Sequence, residues 1–299
     1  MRRMITRQAI LFAIILSLLS GLSACSSSKG IVSTQAFSTS TPTATSVPSP
    51  TPIPATPTPL TCLSAPGLVK HDVVSTTKPP QEFLIYLPPC YEESKDERFP
   101  VLYLLHGQTY NQDQWVRMGT TTIADQLIHT DQAAPFIIVF PDDRYWNSPA
   151  GSLFGERFIH DLIPYVDGNY RTLADRKGRS LGGLSRGGGW TAKLGFDHVE
   201  LFGAFGLHSP AFFKDNAPYL EKIIQGIPDE TRPRLWLDIG DADTELTQAI
   251  LFDEVLTRNS YIHEFHRYAG DHTETYWSAH VEQYLRWYVQ VWAEETASQ

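Results

Sequence analysis

Basic residues are few in this 299-residue chain: it has 24 Lys and Arg but 33 Asp and Glu, a formal net charge of −9. Because nucleic-acid recognition depends on clustered basic residues, a nucleic-acid partner is not expected. The sequence has no internal repeat, no apolar run of the roughly 18 residues that span a bilayer, and no H-E-x-x-H, paired-cysteine or phosphate-loop motif. We therefore expect no metal and no organic cofactor.

Cysteine is also scarce, with three in the chain, and the first follows a leader-like segment. Three early arginines precede the apolar run Ala9–Leu19, and Leu22–Cys25 is similar to the lipobox at which bacterial lipoproteins are cut and lipidated. We predict that residues 1–24 are a lipoprotein signal peptide. Cys25 would carry the lipid that anchors the exported protein to the outer face of a bacterial membrane, or on the periplasmic side. The alternative is an ordinary signal peptide with a chance cysteine.

Residues 25–60 follow the predicted cleavage point and consist mainly of Ser, Thr, Pro and Ala. Such a composition cannot bury a core, so it predicts a disordered, proline-rich linker that extends about 3.1 Å per residue. The folded domain is then residues 61–299, a length typical of one α/β unit.

The other two cysteines, Cys62 and Cys90, flank a predicted hairpin. Gly67–Thr76 and Glu82–Leu87 have the composition of strands, and Lys78–Pro80 between them is typical of a turn. An antiparallel hairpin brings the start of its first strand near the end of its second, and exported proteins form disulfides. We expect a Cys62–Cys90 disulfide; the alternative is two buried thiols.

Further along the chain, apolar runs alternate with helix-like segments. Continuous apolar runs are typical of buried parallel strands, and apolar residues at helical spacing indicate helices. The alternation predicts an α/β fold, with a mostly parallel central sheet, helices on both faces and the N-terminal antiparallel hairpin. The predicted strands are Pro100–His106, Phe136–Phe140, Leu181–Leu184, Leu201–Leu207, Leu235–Ile239 and Tyr261–Tyr268, and the predicted helices are Asp113–His129, Arg157–Asp167, Gly187–Phe196, Leu246–Arg258 and Thr275–Glu295.

Five glycines lie close to one serine in the segment Arg179–Trp190, RSLGGLSRGGGW. Within it, Gly183–Gly187 fits G-x-S-x-G, the nucleophile elbow, in which a strained turn exposes a serine hydroxyl between a strand and a helix. Glycine at the flanking positions avoids a clash with the neighbouring strands and helix. Ser185 is therefore the candidate nucleophile; the alternative is a glycine-rich turn with an inert serine.

A serine nucleophile needs a histidine base that is held by an acid, and in this fold class the chain order is serine, acid, histidine. Two predicted strands downstream of Ser185 end in loops with such residues, Gly240–Asp243 and Gly270–His272. Ligands bind at the carboxyl ends of strands in α/β sheets. We assign His272 as the base and Asp243 as the acid, with Asp241 as the alternative acid.

The remaining acid and histidine candidates receive other roles. Asp238 lies within a predicted strand and is expected to be structural. His263 and His266 on the last strand, and His280 on the last helix, are expected to pack or to face solvent. His208 precedes the acid in the chain, so it cannot be the base in this order, and we expect it to line the substrate cleft.

Two backbone N–H groups are expected to form an oxyanion hole. Arg186 follows the nucleophile, and Gln108 lies in the loop after the strand Pro100–His106, where Gly107 allows a close approach. The side chain of His106 is expected to fix this loop through a hydrogen bond rather than to take part in catalysis.

Several segments together resemble one known family: Tyr86–Pro89 followed by Tyr91, Pro100–Gly107, Asp161–Arg171, Gly182–Gly188, Gly240–Asp243, Gly270–His272 and Trp277. They resemble the esterase family of α/β-hydrolases, which includes feruloyl and acetyl xylan esterases, enterochelin esterases, S-formylglutathione hydrolases and mycolyltransferases. The resemblance runs from about Lys70 to Val291 and implies an α/β-hydrolase fold with the triad Ser185, Asp243 and His272. Arg186 stands where many relatives have Met, and His208–Pro210 where many have a Ser-Gly pair; both departures concern the substrate.

The expected function is hydrolysis of a carboxylic ester, and the resemblance implies feruloyl or acetyl esters of polysaccharides as substrates. Tyr145 and Trp146 in the loop Asp142–Gly155, and the insertion Ser209–Pro233, are the expected substrate contacts. Alternatively, the aromatic residues there cover the edge of the core. Two rival functions are acyl transfer to a sugar, as in mycolyltransferases, and non-catalytic binding of polysaccharide or protein.

Overall fold

An eight-stranded mixed sheet lies at the centre of the protein in the computed structural model, which describes residues 61–144, 153–213 and 217–297. The strands are β1 (Leu68–Val74), β2 (Gln81–Leu87), β3 (Val101–Leu105), β4 (Ile137–Pro141), β5 (Arg179–Leu184), β6 (Ala204–His208), β7 (Arg234–Gly240) and β8 (Glu264–Tyr268). Their order in the sheet is β1-β2-β4-β3-β5-β6-β7-β8. β2 pairs antiparallel with β1 and β4, and all other neighbours are parallel.

Helices cover both faces of this sheet. They are α1 (Gln114–Arg117), α2 (Thr120–His129), α3 (Phe154–Arg157), α4 (Ile163–Asn169), α5 (Arg186–Asp197), α6 (Ala217–Gly226), α7 (Leu246–Arg258) and α8 (Glu274–Ala297). A π-helical turn, Phe158–Leu162, joins α3 to α4, and single 3₁₀ turns occupy Thr61–Ser64 and Asp229–Thr231. Among the described helices, none combines the length and the apolar character needed to cross a bilayer.

The alternation of side chains along β3 explains how one strand supports two cores. Val101, Tyr103 and Leu105 belong to a cluster that includes residues of α3 to α7. Leu102 and Leu104 belong to a second cluster with residues of α1, α2 and α8. Successive side chains of a strand point to opposite faces, so a strand buried on both sides is apolar at every position. The predicted α/β fold is confirmed.

The predicted strands all occur, with boundaries that shift by up to three residues, whereas the helices differ more. The predicted helix Asp113–His129 is divided into α1 and α2 at Gly119, which has a φ of 89°. A left-handed residue cannot continue a right-handed helix, so the direction changes there. Helix α6 was not predicted and lies within the segment interpreted as an insertion.

The N-terminal hairpin and its disulfide are confirmed. Leu68, at the start of β1, pairs with Leu87, at the end of β2. The cysteines just outside this pair, Cys62 and Cys90, are bonded, with Cα atoms 5.1 Å apart. The disulfide therefore closes the open end of the hairpin at the edge of the sheet.

Some predictions concern residues outside the described ranges. The signal peptide 1–24, the linker 25–60 with the lipidated Cys25, and the substrate contacts Tyr145 and Trp146 all lie there. They stay predictions.

Candidate active site

Ser185 occupies a sharp turn between the end of β5 and the start of α5. Its φ of 53° and ψ of −121° are far from those of either neighbouring element. Such a conformation costs about 1–3 kcal/mol in a non-glycine residue and persists only where the surroundings fix it. The Ser185 N–H donates to the carbonyl oxygen of His208 on β6 at 3.0 Å, and the Ser185 carbonyl accepts from the N–H groups of Gly189 and Ala211.

The glycines around the serine are required by close backbone contacts. A Cβ on Gly183 would lie 2.3 Å from the carbonyl carbon of Gly187, and a Cβ on Gly187 would lie 2.2 Å from the carbonyl oxygen of Leu105 on β3. No side chain fits at such distances, because the opposing atoms belong to the backbone. The glycine pattern that singled out Ser185 therefore reflects the packing of β5, α5 and β3.

His272 joins the serine to an acid. Its Nε2 lies 2.7 Å from Ser185 Oγ, and its Nδ1 lies 2.9 Å from both carboxylate oxygens of Asp243. With a proton on Nδ1 donated to Asp243, Nε2 has a free lone pair for the serine hydroxyl. The three residues come from the loops after β5, β7 and β8, as the sequence order predicted.

The two aspartates after β7 differ in environment. The Asp243 carboxylate is inaccessible to solvent, and its Oδ1 also accepts the N–H of Glu245 at 2.7 Å. Asp241 is exposed and accepts the N–H of Gly270 at 3.0 Å. Asp243, not the alternative Asp241, contacts His272, while Asp241 ties together the two loops that carry the acid and the histidine.

Packing holds the His272 loop in place. The ring of Trp277, in the first turns of α8, lies edge-on to the His272 ring with centroids 5.1 Å apart. Gly270 has a φ of 143°, and its carbonyl oxygen would lie 2.4 Å from a Cβ on Gly240. The His272 loop is thus held by an aromatic contact on its imidazole and by a tight crossing of two loops at Gly270.

The loop after β3 lies against the elbow. A Cβ on Gly107 would be 3.6 Å from Ser185 Cβ, and the Gly107 N–H donates to Gln114 Oε1 at 2.8 Å. His106 fixes this loop as predicted: its Nδ1 donates to the Gly107 carbonyl at 2.7 Å, and its Nε2 accepts the N–H of Asp143 at 2.8 Å. Gln108, the predicted oxyanion donor, follows Gly107 in this loop and is exposed to solvent.

The side chain of Arg186 forms an ion pair with Asp143, which lies in the loop after β4. Its Nε donates to Asp143 Oδ2 at 2.9 Å, and the same oxygen accepts the indole N–H of Trp190 at 2.9 Å. Burial raises the pKa of the Asp143 carboxyl, and both the Arg186 guanidinium and the Trp190 N–H oppose that rise. The sequence did not reveal this acid as a partner of Arg186, because the two residues are 43 positions apart.

The prediction that His208 lines the cleft is wrong. Its side chain is inaccessible to solvent, its Nδ1 donates to Asp238 at 2.7 Å, and its ring stacks on that of Tyr284 with centroids 3.7 Å apart. The Tyr288 hydroxyl lies within hydrogen-bonding distance of its Nε2, at 3.2 Å. Helix α8 covers this side of the strand end, so His208 supports the elbow through its backbone and does not meet substrate.

Asp238 is structural, as predicted, and it organises a buried polar cluster. Its carboxylate accepts four hydrogen bonds, from His208, from the Trp236 indole at 2.9 Å and from the hydroxyls of Tyr276 and Tyr284 at 2.8 and 2.7 Å. Burial and the charge of Asp238 raise the pKa of both tyrosines. The cluster joins β6, β7 and α8 close to the loops that carry Ser185, Asp243 and His272.

The other histidines also have structural contacts. His263 bonds Asp253 at 2.7 Å, the His266 ring stacks on Trp236, and His280 bonds the Tyr276 carbonyl one turn earlier in α8. Within the described residues, no group of three or more His, Cys, Asp and Glu side chains is arranged to hold a metal ion.

Known proteins resemble the chain in sequence. An endo-1,4-beta-xylanase/feruloyl esterase of Xylanibacter ruminicola is 33% identical over 197 residues, 60% of this chain and 27% of that protein. An esterase of Mycobacterium tuberculosis is 33% identical over 135 residues, 42% of this chain and 28% of the relative. The matched region thus spans little more than a quarter of these curated relatives.

Solved structures share the fold. A ferulic acid esterase superposes with a TM-score of 0.67 at 23% identity, covering 76% of this chain and 98% of that chain. The S-formylglutathione hydrolase of Staphylococcus aureus superposes with a TM-score of 0.63 at 18% identity, covering 75% and 98%. The model of the family described as "Putative esterase" matches residues 75–288, a range that contains Ser185, Asp243 and His272. The chain belongs to this esterase family and has the α/β-hydrolase fold.

Proposed function

We propose that this protein hydrolyses carboxylic esters with Ser185 as nucleophile, His272 as general base and Asp243 as the acid that orients the base. The observation that carries the proposal is a chain of two hydrogen bonds, from Ser185 Oγ to His272 and from His272 to the buried Asp243 carboxylate. A serine hydroxyl is a weak nucleophile unless a base takes its proton, and this arrangement supplies that base.

In the first half of the reaction, Ser185 Oγ attacks the ester carbonyl carbon while His272 Nε2 takes the hydroxyl proton. The resulting imidazolium is paired with Asp243, whose carboxylate stays ionised. The tetrahedral intermediate then collapses, the carbon–oxygen bond to the alcohol breaks, and His272 gives its proton to the departing oxygen. The acyl group remains on Ser185 as an ester.

The negative oxygen of the intermediate would be bound by the N–H groups of Arg186 and Gln108. Arg186 is the first residue of α5, where backbone N–H groups have no partner within the helix and the helix dipole favours negative charge. The closeness of Gly107 to Ser185, where an added Cβ would lie 3.6 Å from Ser185 Cβ, supports the assignment of Gln108. Loss of one such donor typically costs about 3 kcal/mol in the transition state.

In the second half, water replaces the alcohol. His272 removes a proton from the water as its oxygen attacks the acyl carbon, and the second intermediate releases a carboxylic acid and restores the Ser185 hydroxyl. All the protons are moved by His272, which passes the proton from the water to Ser185 Oγ as the acid leaves.

The proposed substrates are feruloyl or acetyl esters of polysaccharides. The support is the relative named endo-1,4-beta-xylanase/feruloyl esterase and the ferulic acid esterase with the same fold. We further propose that the domain acts outside the cytoplasm, held to a membrane by the lipid on Cys25. The Cys62–Cys90 disulfide supports an exported location, because such bonds are rare in reducing compartments.

The first test is covalent labelling of the full-length protein with a fluorophosphonate probe, followed by peptide mapping. We expect one adduct, on Ser185, that is lost in His272→Ala. His160→Ala is the matched control, since the His160 side chain is 65% exposed in the π-helical turn between α3 and α4, and it should label like the wild type. An unlabelled but folded wild-type protein would contradict the esterase proposal and favour non-catalytic binding.

A further inference from the structure

The side chain of Arg186 is held at the edge of the proposed site by contacts that do not use its whole guanidinium. The Nε atom is bonded to Asp143 Oδ2. Asp143 is fixed in turn by the Trp190 indole, which donates to the same oxygen, and by its own N–H, which donates to His106. The arginine is therefore oriented by a buried acid that is itself held on two sides.

The two terminal nitrogens of this guanidinium, Nη1 and Nη2, are not used by the bond to Asp143. Neither Nη1 nor Nη2 has a hydrogen-bond acceptor among the residues that the structure describes. The side chain is 17% exposed, whereas that of Asp143 behind it is 5% exposed. The rings of Trp190 and Phe213 lie 5.7 and 5.5 Å from the guanidinium carbon. The Arg186 guanidinium thus offers N–H donors beside two aromatic rings that contact each other.

The sheet order places this edge on the acyl side of the nucleophile. The loop after β4, with Asp143, and the loop after β8, with His272, lie on opposite sides of β5. Because His272 must give its proton to the leaving oxygen, the alcohol lies on the β8 side. The acyl group then extends in the opposite direction, toward the guanidinium.

We infer that Arg186 binds an anionic oxygen at the far end of the acyl group, a carboxylate in the simplest case. A planar guanidinium presents parallel N–H donors that match the two oxygens of a carboxylate, and bonds between charged partners are about twice as strong as neutral ones. This inference rests on the proposed esterase function and names its substrate class: half-esters of dicarboxylic acids.

The test uses matched acyl groups on the full-length protein. Monoethyl esters of dicarboxylic acids with four to eight carbons are compared with ethyl esters of the same chains that end in a neutral primary amide, which has nearly the shape of a carboxylate. For the best chain length we expect kcat/KM to be about tenfold higher for the carboxylate than for the amide.

The variants Arg186→Met and Arg186→Lys distinguish two roles of the Arg186 side chain: binding of the acyl carboxylate, and purely structural support of the Asp143 loop. If Arg186 binds the acyl carboxylate, the carboxylate-to-amide ratio should fall to about one in Arg186→Met and to an intermediate value in Arg186→Lys, which keeps the charge but loses the planar donors. If Arg186 only braces the Asp143 loop, both substrates slow together and the ratio does not change.

The outcomes also separate this inference from the function on which it rests. Hydrolysis of neutral esters with no carboxylate preference at any chain length overturns the inference and leaves the esterase proposal intact. If no ester is hydrolysed and no fluorophosphonate adduct forms on Ser185, the esterase proposal fails and the inference fails with it.

Discussion

The main-chain N–H of Ser185 is bonded to the carbonyl oxygen of His208, and the side chain of that same histidine is bonded to Asp238. The strained serine is therefore held from beneath by a residue that is fixed at both its backbone and its ring. Asp238 also binds Tyr276, the neighbour in sequence of Trp277, which packs on His272. One buried carboxylate is therefore linked to the serine through His208 and to the histidine through Tyr276 and Trp277.

Asp238→Asn should destabilise the protein by about 2–4 kcal/mol, because the amide turns one acceptor into a donor and leaves a buried polar group without a partner. The free energy of unfolding in urea measures the effect. Fluorophosphonate labelling of Ser185 should also slow, since His208 and Tyr276 lose their shared hydrogen-bond acceptor.

A second Asp–His pair provides the control. Asp253 lies 2.7 Å from His263, the same distance as in the buried pair, but its side chain is 27% exposed. Asp253→Asn should cost no more than about 1 kcal/mol. Equal losses in the two variants would contradict a special role for the Asp238 cluster.

Replacement of the acid should separate the two candidate aspartates. Asp243→Asn is expected to lower kcat by about 10³–10⁴-fold, because an amide no longer favours the tautomer with the proton on Nδ1 of His272. Asp241→Asn, which affects only the bond to the Gly270 N–H, should lower it less than about tenfold. Steady-state hydrolysis of one ester by both variants measures the two losses. A larger loss of kcat in Asp241→Asn than in Asp243→Asn would identify Asp241 as the acid.

A methyl group at Gly187 should disrupt the elbow. In Gly187→Ala the new Cβ would meet the Leu105 carbonyl oxygen at 2.2 Å, so β3 and α5 must separate at a cost of about 3 kcal/mol. Gly168→Ala is the control: Gly168 is near the end of α4, and a Cβ added there would have no neighbouring atom within 4 Å. This change should stabilise the protein by about 0.5–1 kcal/mol. Thermal unfolding should therefore shift in opposite directions in the two variants.

The disulfide should contribute substantially to stability. It joins residues 28 positions apart, and closing a loop of that size in the unfolded chain corresponds to about 3.5 kcal/mol. The double variant Cys62→Ser/Cys90→Ser should unfold at a correspondingly lower urea concentration. A midpoint that does not move would mean that the hairpin needs no covalent closure.

Alkaline pH should reveal the buried tyrosines. Burial raises the pKa of Tyr276, Tyr284 and Tyr288, and the charge of Asp238 adds to the rise. In the unfolded chain the same phenols ionise near pH 10. Proton release then favours the unfolded state, so stability is complete below about pH 10 and is lost as pH rises further. Phenolate absorbance should show these tyrosines ionising only with unfolding; reversible titration of all 13 tyrosines near pH 10 would disprove this.

Local patterns were sufficient to predict the elements that carry the candidate site. Ser185, Asp243 and His272 each follow a strand whose position the sequence predicted, and a parallel sheet brings the carboxyl ends of these strands to one edge. The G-x-S-x-G spacing reflects close backbone approaches at Gly183 and Gly187. Because those positions accept only glycine, the turn could be recognised from the sequence.

The features that escaped prediction depend on contacts between distant parts of the chain. His208 follows a strand in the same way as the site residues, but its strand end is covered by Tyr284 and Tyr288 of α8, about 80 positions later. Likewise, nothing near Arg186 in the sequence indicates Asp143 as its partner. Such pairings follow from which loops the sheet order places together.

The position of the disulfide also decides how the domain would respond to mechanical tension. A pull that enters at the N-terminal end of the domain reaches Cys62 and passes through the covalent bond to Cys90, so the β1–β2 hairpin carries no load. The first element under load is β3, at the centre of the sheet between two parallel neighbours. A domain pulled from this end would therefore resist extension until β3 was sheared out of the sheet. The residues between Cys62 and Cys90 would add nothing to the extended length, because the disulfide joins their two ends.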